Sequence, residues 1–413
     1  MMILKVALAS LLNRKLTVLL TTLTIAVSVF VLLGVEHIRL EARQSFTKTV
    51  SGVDLIVGPR TGQINLLLYS VFRIGSPSNN ISWQSYQAIA SHPHVAWHIP
   101  VILGDSHKGY RVTGTTEAYF EKFKYGKKQS LQFAAGNRFQ DVYQAVIGAD
   151  LAKQLGYGLN DEIELSHGVA EISFKKHDDH PFKITGILQA TGTPVDQAIL
   201  VNLESIEAIH QEETISRHDE HDHDHDEVMP EKITAFMLGL KSRATTFIVQ
   251  RVVNDFAAEP LLAIIPGVAL SELWQMMSML EKILTLIALL VLLASLLGMV
   301  TMLLSSMFQR SREIAVLRAI GAHASFIFLL VEIEALLMTL MGVVIGSVLL
   351  VLSLLFSQDW ISTQYGLFID INIFNETALM YFAAIFVISS VLALLPGVVA
   401  YRYSLAHGLS QRQ

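Results

Sequence analysis

The sequence predicts an α-helical membrane protein with four transmembrane helices and a large α+β domain inserted between helices 1 and 2. Three observations carry this. The chain is 52% hydrophobic and only 16% charged, too apolar for an ordinary soluble protein and incompatible with disorder. The apolar residues concentrate in residues 16–35 and beyond 283, leaving a soluble protein's mixture between. Positive charge clusters at alternate ends of the apolar runs, as spans inserted in alternating directions require.

Residues 16–35 carry no charge for twenty positions, enough to cross a hydrocarbon core of about 30 Å. Lys5, Arg14 and Lys15 precede the run, and no small-residue cleavage site is evident, so it reads as an uncleaved span whose leading residues, 1–15, are cytoplasmic. Further spans are expected at 283–308, 325–356 and 378–401. Arg310, Arg312 and Arg318 fall in the 309–324 loop, and Arg402 and Arg412 in the 402–413 tail. The 357–377 loop has no Lys or Arg but contains Asp359, Asp370 and Glu376. All four spans agree on one topology, with both termini and 309–324 inside and 36–282 outside.

The outer segment alternates strand-like runs (Val53–Val57, Ile163–Leu165, Phe182–Leu188, Ala198–Val201) with helical stretches near 82–91, 148–156 and 203–210. That pattern suggests an α+β domain of two lobes, large enough to hold its own core. At its edges, Leu270, Leu273, Met277, Leu280 and Leu284 recur at spacings of three and four, a short coiled-coil-like seam running into the second span. Ile38, Ala42, Phe46 and Val50 continue the first span as helix. Two readings are open here, a stalk of two helices or helices that each pack on the domain's own base.

Arg310-Ser-Arg-Glu-Ile-Ala-Val-Leu-Arg-Ala-Ile-Gly321 is a charged island between the second and third spans. Apolar Ile314, Leu317 and Ile320 beside charged Arg312, Glu313 and Arg318 read as a short amphipathic helix ending at Gly321. It is either a topology-setting loop or a handle for a soluble partner.

Arg312-Glu-Ile-Ala-Val-Leu-Arg-Ala-Ile-Gly-Ala322 resembles the coupling-helix signature of the FtsX/MacB/LolC-type permeases of ABC transporters, with Ala315 where glycine is usual. Glu334-Ala-Leu-Leu with Gly342 and Gly346, and Leu395-Pro-Gly-Val-Val-Ala400, are similar to that family's later spans. Gly52–Gly58, Val146–Ala152 and Thr191-Gly-Thr-Pro-Val-Asp196 resemble its MacB-like periplasmic core, in the right order. The resemblance implies a bacterial inner-membrane permease subunit, dimeric and driven by a separate ABC ATPase. It would work by mechanotransmission, carrying ATPase motion to periplasmic work such as export or extrusion of a substrate. A periplasmic adaptor or substrate-binding protein would be a further partner. Arg312, Glu313, Leu317, Arg318 and Gly321 would dock the ATPase, and Leu270, Leu273, Met277 and Leu280 would form the stalk seam. Two alternatives stand beside it, a lipoprotein-releasing permease of LolC/E type and a non-transporting FtsX-like scaffold that activates a periplasmic hydrolase.

The residues themselves exclude several chemistries. No GxxxxGK[ST] phosphate loop occurs, so ATP hydrolysis belongs to a partner, and no HExxH or GxSxG points to an enzyme. With no cysteine there are neither disulfides nor thiolate sites. A net charge of −6 gives no argument for nucleic acid. Twelve of the 15 histidines lie between His92 and His225. In His218-Asp-Glu-His-Asp-His-Asp-His-Asp226, imidazoles alternate with carboxylates, a donor set suited to zinc or another divalent metal. His218, His221, His223 and His225 are the ligand candidates, with His177–His180 as a second cluster. The other reading is a solvated connector.

Glu332 and Glu334 lie inside the third span, near its cytoplasmic end. They either anchor at the interface or mark an ion path. Gly342-Val-Val-Ile-Gly346 is a GxxxG spacing that would allow close helix packing at a dimer seam, or it arises by chance in so apolar a run.

Overall fold

The computed structural model describes residues 2–167, 181–215, 230–309, 316, 321–365 and 370–406. It divides into two compact units, one comprising Met1–Glu41, Ser278–Asp359 and Ile369–Gln413, the other Ala42–Met277 and Trp360–Phe368.

Four helices among the described residues are long and apolar enough to cross a membrane. The first runs Lys15–Thr49, the second Pro266–Gln309, the third Ala324–Tyr365 and the fourth Glu376–Ala406. The third continues well past 356, so 357–365, expected as loop, is helical. A separate helix, Met2–Leu12, precedes the first span and breaks at Asn13-Arg14. No hydrophobic force joins helices in lipid, so the bundle depends on close packing and internal polar contacts. The first span is the most enclosed of the four, with Ile25, Ala26 and Val29 fully buried.

The GxxxG spacing is used within the chain rather than at a dimer seam. A Cβ on Gly342 would lie 2.5 Å from Ile25 Cγ2, and one on Gly346 would lie 2.5 Å from the Ala26 carbonyl oxygen. These glycines let the third span's backbone sit directly on the first. Glu332 and Glu334 do not reach out to the interface either. Both are buried, and the Ser390 hydroxyl on the fourth span donates to Glu332 Oε1 at 2.5 Å. Deeper in, Thr339 and Ser389 share a 2.6 Å hydrogen bond. A span's hydropathy fixes depth and leaves open which face turns inward, and here the glutamates lie on the inner face.

The second unit is built on one mixed sheet. Its strands run, in spatial order, Leu261–Ile264, Leu55–Pro59, Ala235–Leu240, Val95–His107, Tyr110–Thr115, Ile199–Asn202, Gln144–Ile147, Phe182–Leu188 and Phe133–Gly136. The 13-residue strand Val95–His107 joins two halves: Val95–Val101 pairs with Ala235–Leu240, whereas Ile102–His107 pairs with Tyr110–Thr115. Each half has its own apolar core, one around Leu55, Phe236 and Leu261, the other around Ala145, Phe182 and Ile199, with a third cluster including Phe123 and Phe139. The expected alternation of strands and helices is present. Ile199–Asn202 lies parallel to Tyr110–Thr115, and Phe182–Leu188 parallel to Gln144–Ile147.

Candidate force-transmitting site

The ends of both long helices are part of the second unit's own fold. Phe46 stacks obliquely on Phe72 with ring centroids 4.4 Å apart and meets the edge of Trp274 at 5.7 Å. Ala269 is fully buried and Leu270 nearly so, both in the cluster that Phe46 and Val50 pack against. These turns stay helical because tertiary packing holds them, which matters more than propensity for helix ends. The seam residues divide accordingly. Leu270 belongs to this core and Leu273 is half-buried, whereas Met277 and Leu280 are 40% and 57% exposed. Within the second unit the second helix meets the first through Trp274 and the Leu270 cluster, which leaves Met277 exposed.

Inside the first unit the same two helices are joined by polar contacts. Arg39 donates to both carboxylate oxygens of Glu36 at 3.1 and 2.5 Å and lies 3.7 Å from Glu281 on the second span. His37 is buried, with Nε2 2.6 Å from the Asp370 carbonyl oxygen. At the other end of the span, Arg14 Nη2 donates to the Ser306 carbonyl at 3.1 Å, placing a cation on the last turn of the second helix.

Of the residues expected to dock the ATPase, Gly321 is described. Its φ of +102° lies in the left-handed region that favours glycine, in the turn just ahead of the third helix at Ala324. Val316 is exposed. Arg312, Glu313, Leu317 and Arg318 lie outside the described residues, as do His218, His221, His223, His225 and the 177–180 cluster. Among the described residues no group of three or more metal-ligating side chains converges.

Two short runs singled out by sequence prove to be partners in space. Gly148, in Val146–Ala152, packs so closely on the backbone of Val195 and Asp196 that a Cβ has no room. The fully buried Asp196 carboxylate accepts from the Thr191 amide at 2.8 and 2.9 Å, the Thr191 hydroxyl at 2.8 Å and the Gly192 amide at 2.8 Å. Burial pushes this carboxyl up, and the amide donors pull it back. Arg73 ties the same turn to the sheet, donating to the Pro194 carbonyl at 2.9 Å and Thr113 Oγ1 at 3.1 Å. The arrangement braces the turn against Gly148 and the sheet. Asp196→Ala leaves buried amides without an acceptor and is expected to cost about 3 kcal/mol, more than a neutral hydrogen bond and within the range for charged ones. Thermal melts of Asp196→Ala against Asp196→Asn, which keeps one acceptor oxygen, would check it.

His107, at the end of the shared strand, is also held inside. Its Nδ1 lies 2.6 Å from the Glu164 carbonyl oxygen and its Nε2 2.9 Å from the Tyr157 hydroxyl, which also accepts from Lys108 Nζ at 2.9 Å. Burial, with Lys108 alongside, holds its imidazole below the usual pKa. A folded-state pKa below the unfolded one means that the folded form resists taking the proton. Stability from this group is therefore intact above about pH 6.5 and lost as pH falls below it. Hydrogen exchange over Val95–His107 should show protection falling between about pH 7.5 and 5.5, and His107→Phe should flatten that trend.

The fold and the braces can be set beside known proteins. The family described as MacB-like periplasmic core domain matches residues 18–254, and that described as FtsX-like permease C-terminal matches 285–405. The chain belongs to the FtsX/MacB-type ABC permease family. No curated protein matches it in sequence. Among solved structures, the periplasmic region of MacB from Actinobacillus actinomycetemcomitans aligns at 7% identity, over 55% of this permease and 94% of that chain, with a TM-score of 0.36. The extracellular domain of YknZ, a noncanonic ABC-type transporter from Gram-positive bacteria, aligns at 11% identity, over 51% and 98%, with a TM-score of 0.30. Permeases of this family function with a partner ATPase. Sequence reasoning missed Asp196 and Gly148 as a pair and the Glu36–Arg39–Glu281 cluster. For the last, the signal was charge placed just outside an apolar run on two different helices.

Proposed function

We propose that this permease is the membrane subunit of a dimeric transporter that works by mechanotransmission. A separate ATPase would dock on residues 310–321 at the cytoplasmic face of a bacterial inner membrane, with the large domain in the periplasm. The observation that carries the reading is the construction of the two long helices. At about 1.5 Å per residue, helices of 35 and 44 residues run about 52 and 66 Å, well beyond a hydrocarbon core of about 30 Å. Their far ends are built into the outer domain's core through Phe46, Ala269 and Leu270. A rod fixed in a close-packed core passes displacement on, because packed interiors deform little. Exposed Met277 and Leu280 supply an apolar stripe for the second copy. The substrate exported or extruded is metal-linked in this proposal, on the strength of the His218–His225 run.

The reading is tested by inserting three glycines after Ser278, in the second helix. Glycine costs about 1 kcal/mol per position in a helix and softens the rod without touching either docking region. The expected result is ATP hydrolysis that persists while periplasmic work is lost. Full periplasmic work in the insertion variant would overturn the proposal.

A further inference from the structure

Where the first span begins, a groove of about 710 Å³ opens between Asn13–Thr21 and Thr301–Gln309. Its volume falls within the range of about 300–1,000 Å³ usual for small-molecule sites. One end is lined by Asn13, Arg14, Lys15 and Gln309. Arg14 caps the Ser306 carbonyl, which offsets the negative end of the second helix, and Lys15 is exposed. The first span helix also starts here, adding the partial positive charge of a helix N-terminus. Further along, the Thr17 and Thr21 hydroxyls donate to the carbonyls of Arg14 and Thr17, so their groove-facing capacity is as acceptors. Interleaved with them, Leu16 and Leu20, 74% and 54% exposed, stand one turn apart.

Two cations at the start of the span, followed within about one turn and a half by two exposed leucines, match the anionic phosphate and the acyl chain of a phospholipid. The groove also lies where the apolar runs end, at the bilayer boundary. We propose that this groove binds a phosphate-bearing anion, and specifically the headgroup of an anionic phospholipid whose chains lie along Leu16 and Leu20. A soluble protein partner fits less well, because those leucines continue the span's lipid-facing surface.

The test is native mass spectrometry of the full chain in detergent, with phosphatidylglycerol, phosphatidylcholine and inorganic phosphate as probes. Phosphatidylglycerol should be retained about tenfold or more over phosphatidylcholine, as two basic side chains near an anionic headgroup would give. Arg14→Gln with Lys15→Gln should abolish that preference, and Arg14→Lys with Lys15→Arg should restore it. Equal retention of the two lipids, or a preference unchanged in the glutamine variant, would overturn the proposal. Displacement of the lipid by millimolar inorganic phosphate would assign the site to a free anion and overturn the lipid source. Because Arg14 also caps a helix, Leu16→Ser with Leu20→Ser serves as a second variant. Weaker phosphatidylglycerol retention by that monodisperse protein would support the site, and unchanged retention would count against it.

Discussion

Gly346→Leu is expected to destabilise the membrane bundle by about 3 kcal/mol, at the upper end of what overpacking costs. The added Cβ alone would lie 2.5 Å from the Ala26 carbonyl oxygen, and a backbone atom in the first span cannot swing aside. Helix propensity works in the opposite direction, since replacing glycine gains up to about 1 kcal/mol. Steric cost wins by a factor of a few. Polar contacts between membrane helices average only about 0.6 kcal/mol, so no single one, the Thr339–Ser389 pair included, compensates. Gly298 is the internal control. It lies in the second span, where a methyl group added to its Cα would have no neighbour within 4 Å, so Gly298→Ala should be neutral or slightly stabilising. Thermal unfolding of both variants in one detergent would separate crossing geometry from propensity.

Reversing charge at two proposed docking positions, Glu313→Arg with Arg318→Glu, should cut coupled ATPase activity about tenfold or more. Truncating one partner of a desolvated charge pair costs about 2–5 kcal/mol, and reversal adds repulsion. About 1.4 kcal/mol is a factor of ten in affinity. The double change leaves the number of basic residues in the 309–324 loop unaltered, so the orientation signal is preserved. Insertion assayed by protease protection should match the native chain. Normal coupled activity in the double variant would remove the docking proposal.

Much of this fold could be read from residues alone, for reasons visible in particular segments. Charge-free runs mark spans whatever they pack against, and the strand Phe182–Leu188 lies where its sequence pattern placed it. What sequence could not supply was partners. Gly342 and Gly346 announce a close approach, but the first span as its object depends on which faces meet. Gly148 and Asp196 lie in separate runs, and each is explained only by the other. The helix Met2–Leu12 was missed because eleven largely apolar residues beside a span carry little periodic signal. The outward-looking reading of Glu332 failed for the same reason, since depth in a span says nothing about its Ser390 partner.

The chain contains no cysteine, so a single Gln87→Cys on an exposed position of helix Trp83–Ala90 can be spin-labelled without background. The most direct test of force transmission is the distance between two such labels in the proposed dimer, measured with the partner ATPase in the absence of nucleotide and trapped with ATP and vanadate. The expected result is a shifted distance distribution on trapping in the native chain, and none in the three-glycine insertion variant. An unchanged distance in the native complex while ATP turns over, or the same shift in the insertion variant, would contradict it.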